Sequence, residues 1–225
     1  MNTINIPVGT SNFAEIRRKG SYFVDKSGLI GQLLKTQGTK VTLITRPRRF
    51  GKTLGMSMLS EFFDIQKSSG HLFAGLSIME NKELCKCWMN QYPTLFLTFR
   101  SVDGLNFTDA YAQLASVIAE LYKKHIYLMD SDRIHPLDKE QFHRIAAEKA
   151  DLKDIKNSLV KLTQLMELHH EKPAILLIDE YDVPRQYAKK VKHDGYKNVV
   201  ALGVAFFQKK CLVKNAEVIS YEGDV

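Results

Sequence analysis

An α/β fold organised around a mostly parallel sheet is predicted from three observations. Short apolar runs with strand character recur within 41–54, at 94–99 and at 173–180, stretches with helical apolar spacing lie between them, and two of the runs end in charged segments where such sheets bind ligands. Strands that alternate with helices call for right-handed crossovers between parallel neighbours. At 225 residues and 44% hydrophobic content, the chain can bury a core as one large domain or as one domain with an appendage.

The first elements are read from capping and periodicity. Residues 6–13 form an arm in which Ser11 or Asn12 can cap a short helix running towards Lys19. After Tyr22-Phe23-Val24-Asp25-Lys26-Ser27, Asp25 or Ser27 can cap a helix whose Leu29, Ile30, Leu33 and Leu34 make one apolar stripe. That helix leads into Val41-Thr42-Leu43-Ile44-Thr45, an apolar strand, and then into Arg46-Pro47-Arg48-Arg49-Phe50-Gly51-Lys52-Thr53-Leu54, a tight loop that opens a helix. A strand, free backbone N–H groups and the positive end of a helix together make a phosphate-binding loop. Lys52 would reach the β and γ phosphates of a nucleotide, the Thr53 hydroxyl would complete the shell of a magnesium ion, and Gly51 lets the backbone come close. The standard pattern opens with a glycine six residues before the lysine, where this chain has Arg46. A basic turn capping a surface helix would carry the same Gly-Lys-Thr tripeptide.

A second element weighs for the nucleotide reading. Pro173-Ala174-Ile175-Leu176-Leu177-Ile178-Asp179-Glu180 is a continuous apolar run closed by two carboxylates, which reads as a central parallel strand buried on both faces. In a nucleotide hydrolase the first acid holds magnesium and the second orients or deprotonates the attacking water, and Asp179 and Glu180 fit those roles. Between these motifs, Leu54, Met58, Leu59, Phe62 and Phe63 continue at helical spacing and read as core. The aromatic and β-branched run 94–99 reads as another strand, followed by a loop at 101–106 and a long helix through Leu114, Ile118 and Leu121. Residues 135–169 read as mostly helical, with Asp151 as an acidic cap and Leu152, Ile155, Leu159 and Leu162 as an apolar face.

The formal charge of +7 points to an anionic partner, nucleotide first and nucleic acid second. The basic clusters are Arg17-Arg18-Lys19, 46–52, Lys189-Lys190-Val191-Lys192 and Lys209-Lys210, a pattern that solvated faces also show. Cys85, Cys87 and Cys211 lack zinc-site spacing. No leader and no apolar stretch of membrane-spanning length is read, so a cytoplasmic location without a membrane partner is expected. No internal repeat or low-complexity tract is present.

Ile6-Pro7-Val8-Gly9, Tyr22-Phe23-Val24-Asp25-Lys26-Ser27, Arg46-Pro47-Arg48-Arg49-Phe50-Gly51-Lys52-Thr53 and Leu177-Ile178-Asp179-Glu180-Tyr181-Asp182-Val183-Pro184 occur in that order. They resemble the signatures of AAA-ATPase-like proteins that join a P-loop domain to a restriction-endonuclease-like domain. The resemblance covers about residues 1–185, and the loop without its first glycine is the usual form in that family. It implies a three-layer P-loop NTPase fold, an ATP site with Mg2+, binding contacts from Arg48, Arg49, Phe50, Gly51, Lys52, Thr53 and Leu54, metal contacts from Thr53 and Asp179, and catalytic roles for Lys52 and Glu180. After Pro184 the pattern departs. Residues 186–225 resemble the closing helix and strand of the nuclease-like domain, so the chain reads as an internally shortened member whose apolar run 199–207 could either pair beside the Asp179 strand or hang as a tail. No acidic pair followed by an acid-x-lysine strand remains there, so nuclease activity is not expected. The expected function is ATP binding with weak Mg2+-dependent hydrolysis, and the alternative is a non-catalytic module that binds nucleic acid or a protein.

Overall fold

The computed structural model describes residues 5–35, 41–45, 51–102, 107–180 and 216–220. Arg48, Arg49 and Phe50 of the loop, the basic clusters beyond residue 188, the run 199–207 and Cys211 lie outside the described residues. In chain order the elements are α1 (Phe13–Arg18), α2 (Gly28–Lys35), β1 (Val41–Thr45), α3 (Lys52–Phe63), α4 (Lys82–Trp88), β2 (Thr94–Thr98), α5 (Phe107–Lys124), α6 (Pro136–Ala146), α7 (Leu152–His170), β3 (Ile175–Asp179) and β4 (Ala216–Ser220). Short 3-10 turns occupy Gly70–Phe73, Ser77–Glu80 and Ile126–Asp130. Two compact units result, the first running to Phe96 and taking in β4, the second running from Leu97 through β3.

In the first unit α1 starts where an asparagine can cap it, with the Glu15 N–H donating to Asn12 Oδ1 at 3.0 Å. Its Phe13, Ala14 and Ile16 are buried, and the Arg17 guanidinium donates to the carbonyls of Leu72 and Ala74 at 2.7 and 2.8 Å. Phe13, Phe62 and Phe73 meet ring to ring at the centre, with Phe73 4.9 Å from Phe13 and 5.4 Å from Phe62. Leu29 and Ile30 of α2 join this core, as expected from their spacing. The expected caps of α2 do otherwise. Asp25 accepts the N–H groups of Ser27 and Ser77, and Ser27 Oγ accepts the N–H of Ile78, so both side chains bind this turn to the 3-10 segment Ser77–Glu80. β1 pairs in parallel with β4, from Val41 opposite Ala216 to Thr45 opposite Ser220. No strand was expected at β4. Ala216-Glu217-Val218-Ile219-Ser220 carries too little β-branched and aromatic character to stand out, and pairing with β1 supports it instead.

In the second unit α5, α6 and α7 pack on one another around Ile118, Tyr122, Phe142, Ile145, Ile155, Leu159 and Leu162. The periodic positions expected to face inward on α5 are buried, as are Ile155, Leu159 and Leu162 of α7, whereas Leu152, also expected on that face, is exposed in the first turn of α7. The Tyr122 ring lies 4.7 Å from Phe142, and its hydroxyl donates to the Ser158 carbonyl at 2.8 Å, so the polar end of a wholly buried ring is satisfied. Asp151 caps α7 by accepting the Asp154 N–H at 2.7 Å, and Pro136 opens α6 behind the capping His135.

β3 pairs with β2, and the Phe99 N–H donates to the Asp179 carbonyl at 3.1 Å. The expectation of a strand buried on both faces needs correction, because Leu176 is 36% exposed and only Leu177 and Asp179 are buried. A strand with one described neighbour leaves its alternate side chains less covered than a central strand would. Among the described residues the strands make two two-stranded sheets, β1 with β4 and β2 with β3. The fold is α/β with a small parallel sheet beside a large helical content. Among the described residues no helix is long and apolar enough to cross a membrane.

Candidate functional site

The loop after β1 ends at Gly51, whose φ of 76° and ψ of 27° lie in the left-handed region. Glycine adopts that conformation without the Cβ clash that costs other residues about 1–2 kcal/mol, so the chain can turn sharply into α3. The Gly55 N–H then donates to the Gly51 carbonyl at 2.8 Å, closing the first helical turn. Gly51 offers no capping side chain, and the first turn of α3 holds no acidic residue. The start of the helix therefore keeps its partial positive charge and carries Lys52 as its first residue, which is an electrostatic setting for an anion. Lys52, Thr53 and Leu54 are half-buried.

The rest of α3 explains why this end is held still. Met56, Met58, Leu59, Phe62 and Phe63 are buried, and the Phe13 N–H donates to Ser57 Oγ at 3.1 Å. Asn90 fastens the opposite end. It sits at φ 54°, its Nδ2 donates to the carbonyls of Glu61 and Asp64 at 3.0 Å each, and its Oδ1 accepts the Ser69 N–H at 3.2 Å. The Asn90 N–H also donates to the Phe62 carbonyl at 2.7 Å. Sequence reasoning missed this residue. Its one signal is that asparagine tolerates the left-handed conformation better than other non-glycine residues.

In the second unit β3 delivers Asp179 to its carboxyl end. The residue is 2% exposed, and its Oδ1 is buried with no hydrogen-bond partner among the described residues. A buried carboxylate oxygen left in that condition is costly, and a hard cation is the group that compensates it best, so the donor chemistry fits Mg2+. Glu180 follows at φ 53°, a left-handed conformation that is uncommon outside glycine, asparagine and aspartate and often marks functional positions. Gly51 to Leu54 belong to the first unit, and Asp179 and Glu180 to the second.

The family described as "Predicted AAA-ATPase", the AAA-ATPase-like family, matches residues 7–218. The match continues past Pro184 into β4. Among curated proteins, an "Uncharacterized protein in vnfD 5'region" of Azotobacter chroococcum mcd 1 is 37% identical over 100 residues, covering 44% of this chain and 18% of that relative. No solved structure matches the chain.

Proposed function

Because the chain belongs to the AAA-ATPase-like family, we propose that it binds ATP at the start of α3 and hydrolyses it slowly with Mg2+. The observation that carries this reading is the left-handed Gly51 feeding an uncapped, acid-free helix start whose first two residues are Lys52 and Thr53. In this reading Lys52 supplies a mobile positive charge to the β and γ phosphates, and the N-terminal amides of α3 donate to phosphate oxygens. The Thr53 hydroxyl is the magnesium ligand of the loop, and Asp179, whose Oδ1 has no partner among the described residues, is the magnesium-holding acid. Bound Mg2+ would neutralise charge that develops on the transferring phosphoryl group. Glu180 is the residue proposed to orient and deprotonate the attacking water. Arg48, Arg49, Phe50 and Leu54 complete the proposed nucleotide contacts.

A fold accompanies this proposed function. It is a three-layer P-loop fold, with 1–185 as the ATPase-like domain, and kinship with family members that carry a restriction-endonuclease-like domain. Its support is the four ordered signatures from Ile6 to Pro184. Phosphate release from ATP, measured for wild type and Glu180→Gln at matched protein concentration, tests the hydrolytic role. Loss of turnover with retained ATP binding is expected for Glu180→Gln, and turnover equal to wild type would refute the assignment.

A further inference from the structure

Strands β2 and β3 end level with one another. The N–H of Phe99, the first residue beyond β2, donates to the carbonyl of Asp179, the last residue of β3, at 3.1 Å. A bond between those two ends requires the strands to run in the same direction, and in a parallel ladder it sets Thr98 opposite Asp179. Opposed residues of a parallel ladder share a face, on backbones about 4.8 Å apart, so the Thr98 hydroxyl and the Asp179 carboxylate are neighbours across the sheet. Both residues lie in the second unit. The Arg100 N–H donates to Thr98 Oγ1 at 3.3 Å, which holds the hydroxyl oxygen at this end of the strand.

The two side chains have unequal surroundings. Thr98 is exposed, so water and ions reach it, whereas Asp179 is 2% exposed and its Oδ1 has no hydrogen-bond partner among the described residues, the Thr98 hydroxyl included. Asp64, the other buried acid among the described residues, is compensated instead: it accepts the Gln66 N–H at 3.1 Å and faces Lys67 Nζ at 3.9 Å. A buried carboxylate oxygen without such partners favours a cation, and a hard divalent ion needs more oxygens than one carboxylate provides. A hydroxyl on the same sheet face adds a neutral oxygen without adding a second charge to be buried. We propose that Thr98 is a second oxygen donor to the cation at Asp179, a role that rests on the assignment of Asp179 as the magnesium-holding acid. Arg100 takes part only through its backbone, as the donor that positions the Thr98 hydroxyl.

The test uses the full chain as wild type, Thr98→Val, Thr98→Ser and Asp179→Asn, titrated with Mn2+ in the absence of nucleotide and followed by the paramagnetic resonance of the free ion. Mn2+ takes the same oxygen ligands as Mg2+. Thr98→Val keeps the β-branched shape and removes the oxygen, so it should weaken Mn2+ binding by about tenfold, while Thr98→Ser should stay close to wild type and Asp179→Asn should lose the site. The unliganded Thr98→Val chain should unfold near the wild-type temperature, because valine suits an exposed strand position. Wild-type-like Mn2+ binding by Thr98→Val, beside lost binding by Asp179→Asn, would overturn the role of Thr98 and leave that of Asp179 standing. Equal losses in Thr98→Val and Thr98→Ser would also overturn it, since one of them retains the hydroxyl. If Thr98→Val is destabilised, Thr98→Ala is compared with Thr98→Ser in its place, and equal binding by those two contradicts the proposal. Equal binding by wild type and Asp179→Asn, or no Mn2+ held by wild type across the millimolar range, would refute the assignment of Asp179 and the role of Thr98 with it.

Discussion

Asn90→Ala is the substitution through which the tail of α3 bears on its head. The change removes the two hydrogen bonds from Nδ2 to the Glu61 and Asp64 carbonyls at 3.0 Å and leaves the Ser69 N–H without its acceptor at 3.2 Å. The two carbonyls keep other donors, Ser69 Oγ for Glu61 and the Lys67 N–H for Asp64, so each lost bond there is worth about 1 kcal/mol. Ser69 is buried, so its orphaned N–H adds about 1 kcal/mol, and alanine at φ 54° adds a smaller strain term. The sum is about 3 kcal/mol. Trp88, the single tryptophan, reports directly, because it stacks on Tyr92 at 4.6 Å and meets Phe63 edge-on at 6.2 Å, next to the affected turn. Urea unfolding followed by Trp88 fluorescence should show a midpoint about 1–2 M below wild type at unchanged slope, given a typical slope of about 2 kcal/mol per M. A loss under about 1 kcal/mol would refute the view that Asn90 anchors the helix. Asn90→Gly, which permits the backbone conformation but not the bonds, should recover only a small part of the loss.

Further expectations concern both units. His125 is 6% exposed, and burial, reinforced by the charges of Lys124 and His170, lowers its pKa to about 4. Its contribution to stability is therefore complete above about pH 6.5 and falls by about 1.4 kcal/mol per unit towards pH 4, because only the unfolded chain takes up the proton there. His125→Gln should flatten the acid limb of a stability profile read by the circular dichroism of the helices, and an unchanged limb would contradict this. Tyr122→Phe removes the bond to the Ser158 carbonyl and should destabilise by about 1–2 kcal/mol in the same measurement. Among the described residues Gly51→Ala meets only Lys26 Nζ, 3.7 Å from the new Cβ, but φ 76° should cost about 1 kcal/mol and weaken ATP binding with it.

What the sequence made legible was local in origin. The caps at Asn12 and Asp151, the stripe of α5 and the Ile155, Leu159 and Leu162 part of the α7 stripe follow from spacing within one or two turns, and the start of α3 at Lys52 and the strand that ends at Asp179 follow from short motifs. What stayed hidden depends on partners far along the chain. Asp25 and Ser27 look like helix caps until Ser77 and Ile78, about fifty residues away, are found against them. β4 is weak as a strand by composition and exists through its pairing with β1. Asn90 looks like an ordinary loop residue until the Glu61 and Asp64 carbonyls at the end of α3 and the Ser69 N–H before the next 3-10 turn are found around it. Leu176 shows the converse error, since an unbroken apolar run implies two covered faces only if neighbours cover both.

The unfolding midpoint with and without Mg-ATP, for wild type beside Lys52→Ala, bears most directly on the phosphate site at the start of α3. A ligand that binds the folded chain alone stabilises it by about 2.7 kcal/mol at a hundred times its dissociation constant, which for a chain of this size is a rise of about 5–10 °C. That rise is expected in wild type and not in Lys52→Ala. Equal midpoints with and without Mg-ATP in wild type, or an equal rise in both proteins, would contradict it.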